Sequence, residues 1–391
     1  MLTVNMSSAK KRILLLVTQA DWGGVQSFLI RFANQLQAEG HTVLLAAGGE
    51  GELWQEAKKN GVPCHQFRHV VRDISPLEEF RGIKEINQLI AEFKPDAIHL
   101  NSSKMGVLGS IAARAHAMRP YTKPRIVYRI GGWSFLDPQP EWKRWIYRTA
   151  EKFTARYKDT IITVHPGDEA LAKQLGIRPR KDIRTVPNGL DVLAFCSHLG
   201  TRAISRNILG LPEHAFVFGT VANAYATKGL LDYLDVAKKI LDDDRGTMCV
   251  ILGDGPEFED VQKKRDALGL TDRILLPGHR DDAARLYSAF DAFVLPSKKE
   301  GMPWTLLEAM TASLPCIATD VGACRWMLTQ GNHGDAGIIV PPNDNSALFT
   351  AMKQMKNDRD QRDRFSRSGR LSSEERFSWK QTYQGNLDAL T

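Results

Sequence analysis

The stretch "AFVLPSKKEGMPWTLLEAMTASLPCIATDVG", Ala292–Gly322, reads as a strand, a turn, a helix that begins near Pro303, and a second strand. Two strands joined through one short helix require a crossover, so they lie parallel, and parallel strands are buried on both faces. The unit is doubly wound α/β. Two carboxylates, Glu300 and Glu308, stand on either side of its Gly-Met-Pro corner.

Working outward, the same alternation repeats. Upstream lie "FVFGTVA", "MCVILG" and "RILLPG", and downstream "GIIVPP", with helical patterns between. The first half carries its own series: "RILLLVT" (12–18), "TVLLAA", "DAIHLN", "RIVYRI" and "TIITV". After the first of these, Val25, Phe28, Leu29, Phe32, Ala33 and Leu36 recur at helical spacing up to Gly40. After "VPNGLD" the pattern loosens until about Leu211. The expected organisation is a first α/β domain over 1–190, a linker over 191–211 and a second α/β domain over 212–372. A last segment, 373–391, completes the chain.

Composition bounds the function. The chain of 391 residues is 43% apolar and 25% charged, as in globular proteins. No apolar run reaches membrane-spanning length. "KKR" followed by "ILLLV" superficially suggests a secretory leader, but the run is short and no small-residue cleavage site follows, so it reads as a strand. Five scattered cysteines without a C-x-x-C pair suggest a reducing, cytoplasmic setting and no structural metal. Residues 1–190 hold 28 Lys+Arg against 18 Asp+Glu, whereas the rest is mildly acidic. The basic half implies an anionic partner. No zinc-finger, helix-turn-helix or RNP-type motif supports nucleic acid, so an acidic membrane surface or phosphorylated substrate fits better.

In doubly wound folds ligands sit beyond the carboxyl ends of the strands. Those ends carry "ADWGG", "NSSK", "GGWS", "HPGD", "GDGPE" and "PSKKEG". A proline opening the helix at 303 leaves amides free at Thr305 and Leu306, a site for phosphate. Glu308 is placed to take ribose hydroxyls and Glu300 those of a sugar, although a lone acid here often only favours a helix start. "GDGP" is not a dinucleotide fingerprint, and "LDDDRG" (241–246) reads as a solvated turn. In "EWKRWIYRTAEKFTARYK" (141–158), Trp142, Trp145, Ile146, Ala150 and Phe153 form one helical stripe among Lys143, Arg144, Arg148, Lys152 and Arg156. Such a helix either rests on an anionic membrane or packs its stripe on the core with a basic outer face.

The motifs taken in order resemble the retaining glycosyltransferases of the GT-B fold, in the large family 4. That family's hallmark is two glutamates with seven residues between them, matched by Glu300 and Glu308. "GGVQSFLIRFANQL" (23–36), "HLNSSKMGVLGSIAAR" (99–114), "VPNGLD", "TKGLLD" (227–232), "LGDGPE" and "GIIVPPND" extend the match over most of the chain. The resemblance implies two Rossmann-like domains facing a cleft, with a C-terminal helix crossing back to the first. It also implies a UDP- or GDP-sugar donor held mainly by the second domain, an acceptor on the first, and no required metal or cofactor.

Carried over by residue, the resemblance gives Glu300 the donor sugar and Glu308 the ribose. It gives Lys228 the departing diphosphate, and the stretch Gly301, Met302, Pro303, Thr305 and Leu306 the sugar and diphosphate. Gly23 and Gly24 would let backbone approach the diphosphate, and Arg280 falls where the nucleotide base is expected. Two positions depart from the family. Asn223 stands where an arginine five residues before the motif lysine is usual, and Gly131 replaces a histidine near the acceptor. His165 and His99, at predicted strand ends, and Ser103 and Lys104 are candidate polar substitutes. The implied enzyme is a hexosyltransferase of surface-polysaccharide type, acting by front-face transfer on a glycan or lipid-linked acceptor and peripheral to the membrane. A sugar-nucleotide epimerase or phosphorylase, or a catalytically weakened glycan-binding subunit, are the alternatives.

Overall fold

The computed structural model describes residues 9–73, 75–116 and 123–391. They form two units. One holds the described residues up to Val186 together with Tyr383–Thr391, and the other holds Pro187–Thr382.

The first unit is built on β1 (Arg12–Gln19), β2 (Thr42–Gly48), β3 (Cys64–Phe67), β4 (Ala97–Asn101), β5 (Arg125–Ile130), β6 (Thr160–Thr163) and β7 (Asp182–Thr185). They make one sheet in the order β3-β2-β1-β4-β5-β6-β7, with every pairing parallel. The second unit uses β8 (Phe216–Val221), β9 (Thr247–Leu252), β10 (Ile274–Gly278), β11 (Ala292–Leu295), β12 (Cys316–Thr319) and β13 (Gly337–Val340). Its order is β10-β9-β8-β11-β12-β13, again all parallel. In each sheet the order reverses between the first strand and the fourth, β1 beside β4 and β8 beside β11. A crevice opens at such a reversal because the flanking connections leave to opposite faces.

The central strands are continuous apolar runs because helices cover both faces: Ile13, Leu14, Leu15 and Leu16 are fully buried in succession. The helix Gly24–Ala38 buries Phe28, Leu29, Phe32, Ala33 and Leu36, the face that its periodicity predicts. The edge strands β3 and β7 are absent from the sequence reading. Each is four residues long and paired on one side, and β7 is only half-buried throughout, so neither carries an apolar run.

Residues 191–211 differ from the linker expected of them. They hold two short helices, Val192–His198 and Arg202–Leu209, with Asp191 and Thr201 accepting from the amides of Ala194 and Ile204 as N-caps. Ser205 donates to the Arg285 carbonyl at 2.7 Å, and Arg206 pairs with Asp291 at 2.8 Å, which ties this stretch to the second unit. Its helices are only seven and eight residues long and leave Leu193 and Ile204 exposed, so their apolar residues mark no buried face and the pattern lapses without the fold lapsing.

At the other end, the helix Arg359–Arg376 is followed by Trp379–Leu390, whose last residues pack on the first unit. Tyr383 sets its ring edge-on to Phe32, and Lys11 donates to the Leu390 carbonyl at 3.1 Å. His99, expected on the strand-end rim, lies instead inside β4 and is completely buried. Its Nε2 meets Asn386 Oδ1 at 3.0 Å and its Nδ1 meets the Asn101 amide at 3.0 Å. Burial pushes its pKa down to about 3, so it is a neutral core group and not a ligand contact.

Candidate functional site

In the second unit the chain leaving β8 makes a 3-10 turn, Ala226–Lys228, closed by Gly229 at φ +67°. A Cβ at Gly229 would lie 2.3 Å from the Pro296 carbonyl, so only glycine lets this turn press against the loop after β11. The Lys298 amide donates to Thr227 O at 2.7 Å across the same seam. This contact delivers Lys228 to Glu300: Nζ lies 2.7 Å from Oε1. Ser297 Oγ donates to the same oxygen at 2.6 Å. The Glu300 side chain is only 8% exposed, and among the described residues its Oε2 receives no hydrogen bond. The acid is thus fixed through one oxygen.

The corner between the glutamates is clamped from two sides. Gly322, at φ +53°, brings its Cα so close that a Cβ would stand 2.3 Å from Gly301 O, and the Ala323 amide donates to that carbonyl at 2.7 Å. Asn188 holds Met302 by a side-chain bond to its carbonyl at 2.8 Å and a backbone N–H to its sulfur at 3.1 Å. This gives the "VPNGLD" motif a structural role. Pro303 differs slightly from expectation, being the residue before the helix Trp304–Thr311 and not its first turn. Helix geometry therefore leaves the amides of Trp304, Thr305 and Leu306 without helical acceptors, at the carboxyl end of β11 where an anion is favoured.

Glu308 projects one turn further in. Tyr287 donates to its Oε2 at 2.7 Å, and burial pushes its pKa up to about 7 against that hydrogen bond. Buried Cys324 also lies near Glu300; burial first, and then the Glu300 charge, hold its thiol well above the ordinary range.

Asn223 follows β8 and is exposed, its carbonyl accepting from the Tyr225 amide at 2.8 Å. The glycines of "LGDGPE" lie against the neighbouring residues: Gly253 and Gly255, at φ +134° and +147°, leave no space for a Cβ beside Ala222 and Ala224. They shape the loop after β9. Arg280 is half-buried and makes a bidentate pair to Asp282, both contacts at 2.8 Å.

The first unit has a cavity of about 390 Å³ at its own strand reversal, between the ends of β1 (Thr18, Gln19) and the residues after β4 (Ser102, Ser103, Lys104). Ser103 accepts from Ser134 Oγ at 2.7 Å, and Thr18 and Ser102 share a 2.5 Å bond. Lys104 is held by the Asp73 carbonyl at 2.6 Å and by Glu79 at 3.5 Å, so its charge is already partnered. Gly23 caps the helix Gly24–Ala38 with extended backbone, and a Cβ there would meet only Gln26 Oε1 at 3.4 Å. Neither conformation nor packing demands glycine at 23; its bareness leaves the helix start open.

His165, the leading substitute for the missing histidine, is a helix cap. Its Nδ1 accepts from the Gly167 amide at 3.1 Å, and Nε2 faces Asp168 at 3.3 Å. Nδ1 is thus engaged inside the unit, which gives the residue a structural role as the cap of the helix Pro166–Gln174. A Cβ at Gly131 would meet nothing within 4 Å, so the fold leaves space there for a side chain it does not carry. Sequence reasoning missed Ser297, Tyr287, Asn188 and Gly322. Only Gly322 and Asn188 had a signal, as a glycine after a strand and as part of "VPNGLD".

Residues 201–372 match the family described as glycosyl transferases group 1, and residues 23–189 match the glycosyl transferase 4-like domain. A UDP-Gal:alpha-D-GlcNAc-diphosphoundecaprenol alpha-1,3-galactosyltransferase of Escherichia coli is 30% identical over 292 residues, covering 74% of this chain and 73% of its own. The lipopolysaccharide core biosynthesis glycosyltransferase LpsD of Rhizobium meliloti is 27% identical over 369 residues, 94% of each chain. Among solved structures, HepE of Anabaena in complex with UDP-glucose has a TM-score of 0.80 at 19% identity, covering 97% of this chain and 99% of that one. Two parallel sheets of this order, the paired glutamates of the Ala292–Gly322 stretch, and these likenesses converge: the chain belongs to the glycosyltransferases of the family 4 kind, with the GT-B fold of two Rossmann-like domains.

Proposed function

We propose that the protein is a retaining hexosyltransferase that moves a sugar from a UDP- or GDP-sugar to a hydroxyl of a lipid-linked or surface-polysaccharide glycan. The observation that carries this reading is Lys228, Ser297 and Glu300 bonded together at the β8/β11 reversal, beside the open amides of the helix Trp304–Thr311. Glu300 Oε2 accepts from the sugar hydroxyls. Lys228 Nζ and the amides take the negative charge that grows on the diphosphate as the anomeric C–O bond breaks, and Glu308 accepts from the ribose. The acceptor oxygen bonds to the anomeric carbon on the face the diphosphate leaves, and its proton passes to a diphosphate oxygen. Configuration is kept without an enzyme nucleophile. Lys228 and the amides supply the positive charge, so the transfer is proposed to need no metal and no cofactor.

The choice of acceptor is supported by the E. coli relative, whose name specifies a diphosphoundecaprenol-linked sugar, and by the basic first half of the chain. Among the described residues no helix is long and apolar enough to cross a membrane, so we place the protein at a membrane surface by peripheral contact. The test is a thermal-shift screen across nucleoside diphosphates and their sugars, since stabilisation scales with affinity. Turnover on the best donor follows, with the product anomer read by NMR in the presence of a chelator. Stabilisation without turnover favours the glycan-binding subunit, to which Asn223 and the bare Gly131 lend support. An inverted product removes the retaining mechanism.

A further inference from the structure

The helix Glu141–Ala155 presents its apolar stripe to solvent, not to the core. Trp142, Trp145, Ile146 and Phe153 are between 41% and 60% exposed. The core is met by the opposite face, through Glu151, Thr154 and Ala155. Glu151 is fixed there by Tyr128 at 2.7 Å and by the fully buried Lys158 at 2.9 Å, so the helix cannot roll its stripe inward without breaking a buried ion pair. Beside the stripe lies an open groove of about 760 Å³ lined by Arg148, Lys152, Arg156 and Arg178, with Phe153 in its wall. Among the described residues none of these four cations has a carboxylate within ion-pair distance. Arg156 stacks over the Phe153 ring, 3.9 Å from its centre.

We propose that this face docks on an anionic lipid bilayer, with the tryptophans and Phe153 in the headgroup layer and the four cations on lipid phosphates. Uncompensated cations flanking exposed aromatics are the complement of such a surface, because long basic side chains keep their charge in water while aromatic rings sit at headgroup depth. Ile146 belongs both to the exposed stripe and to the lining of the 390 Å³ cavity. Glu79, across that cavity, comes from the same helical turn as the exposed Leu77 and Phe80. Docking therefore sets the cavity mouth at the bilayer. This deepens, and in its last step rests on, the reading of a lipid-linked acceptor: the acceptor reaches the cavity by moving within the membrane plane.

The test is sedimentation of the full chain with vesicles of phosphatidylcholine alone or mixed with phosphatidylglycerol, at rising salt. Wild type is expected on the anionic vesicles only and released by salt. Replacing Arg148, Lys152 and Arg156 with Gln is expected to weaken binding about a hundredfold, since each cation near an anionic leaflet is worth about 1 kcal/mol. Trp142→Ser with Trp145→Ser is expected to weaken it at least tenfold and to remove the blue shift of tryptophan emission. Failure of wild type to bind, equal binding to neutral vesicles, or unchanged binding in either variant overturns the proposal. Donor turnover without vesicles, expected to be unaltered in both variants, separates the two readings. A protein that turns over donor yet ignores vesicles loses only the docking surface, and one that binds vesicles without turnover loses only the transferase reading.

Discussion

With Glu308 on the ribose as proposed, nucleotide recognition becomes a titration of its carboxyl. With its pKa pushed to about 7, the side chain of the empty protein is about one tenth ionised at pH 6 and about nine tenths ionised at pH 8. A ribose diol donates to carboxylate oxygens, so only the ionised form is binding-competent. Apparent affinity scales with the competent fraction, which predicts a dissociation constant about tenfold tighter at pH 8 than at pH 6. The assay is calorimetric titration with a nucleotide sugar, whose diphosphate diester, unlike a free nucleoside diphosphate, has no ionisation near pH 6. Glu308→Gln removes the titration: affinity is expected to be flat over this range and weaker than wild type at pH 8 by roughly 1.5–3 kcal/mol. Stability runs the other way. The folded pKa lies above the unfolded value near 4.5, so the folded state keeps the proton longer and stability falls as pH rises toward 7, levelling off above it. Wild type is thus expected to melt lower at pH 8 than at pH 5 by a margin that Glu308→Gln reduces. A wild-type affinity that does not change between pH 6 and 8 would refute the placing of Glu308 on the ribose.

Lys228→Ala is expected to lower turnover about a hundredfold or more, because Nζ, held beside Glu300, is the cation proposed to meet the departing diphosphate; wild-type turnover would shift that role elsewhere. Gly322→Ala places a Cβ 2.3 Å from Gly301 O at a left-handed φ, so donor affinity and melting temperature should both drop, and retention of both would show that the corner is not clamped there. His165→Ala removes a helix N-cap and is expected to cost about 1 kcal/mol of stability while specific activity of the folded protein holds; a loss of turnover at unchanged melting temperature would restore a ligand contact.

Much of this was legible in the chain because buried parallel strands and helix faces write strong patterns. β1, β4 and β11 are continuous apolar runs, and the helix Gly24–Ala38 repeats its core face at helical spacing. What the chain did not show was written in partners and not in patterns. His99 lies in β4 and His165 two residues past β6, and nothing local distinguishes a rim histidine from one whose ring is tied to Asn386 or to the Gly167 amide. Arg280 and Lys104 read as free cations until Asp282 and Glu79 are seen beside them. Ser297 is an ordinary serine by sequence, and its role exists only because the Gly229 turn brings Lys228 to the same carboxylate. The stripe of the helix Glu141–Ala155 was visible by spacing, but its direction depended on the buried Glu151–Lys158 pair, which spacing does not encode.

The bond between His99 and Asn386 links residues 287 positions apart, and it bears on how the protein comes off the ribosome. At roughly 5–20 residues per second, synthesis leaves a gap of about fifteen seconds to a minute between the two side chains. Throughout that interval the nascent first sheet holds an imidazole at its centre with one nitrogen unanswered and the surfaces of Phe32 and Lys11 uncovered. The first unit is therefore finished last, after the second has been made, and a fragment ending at Val186 is expected to melt without cooperativity until residues 383–391 are supplied to it.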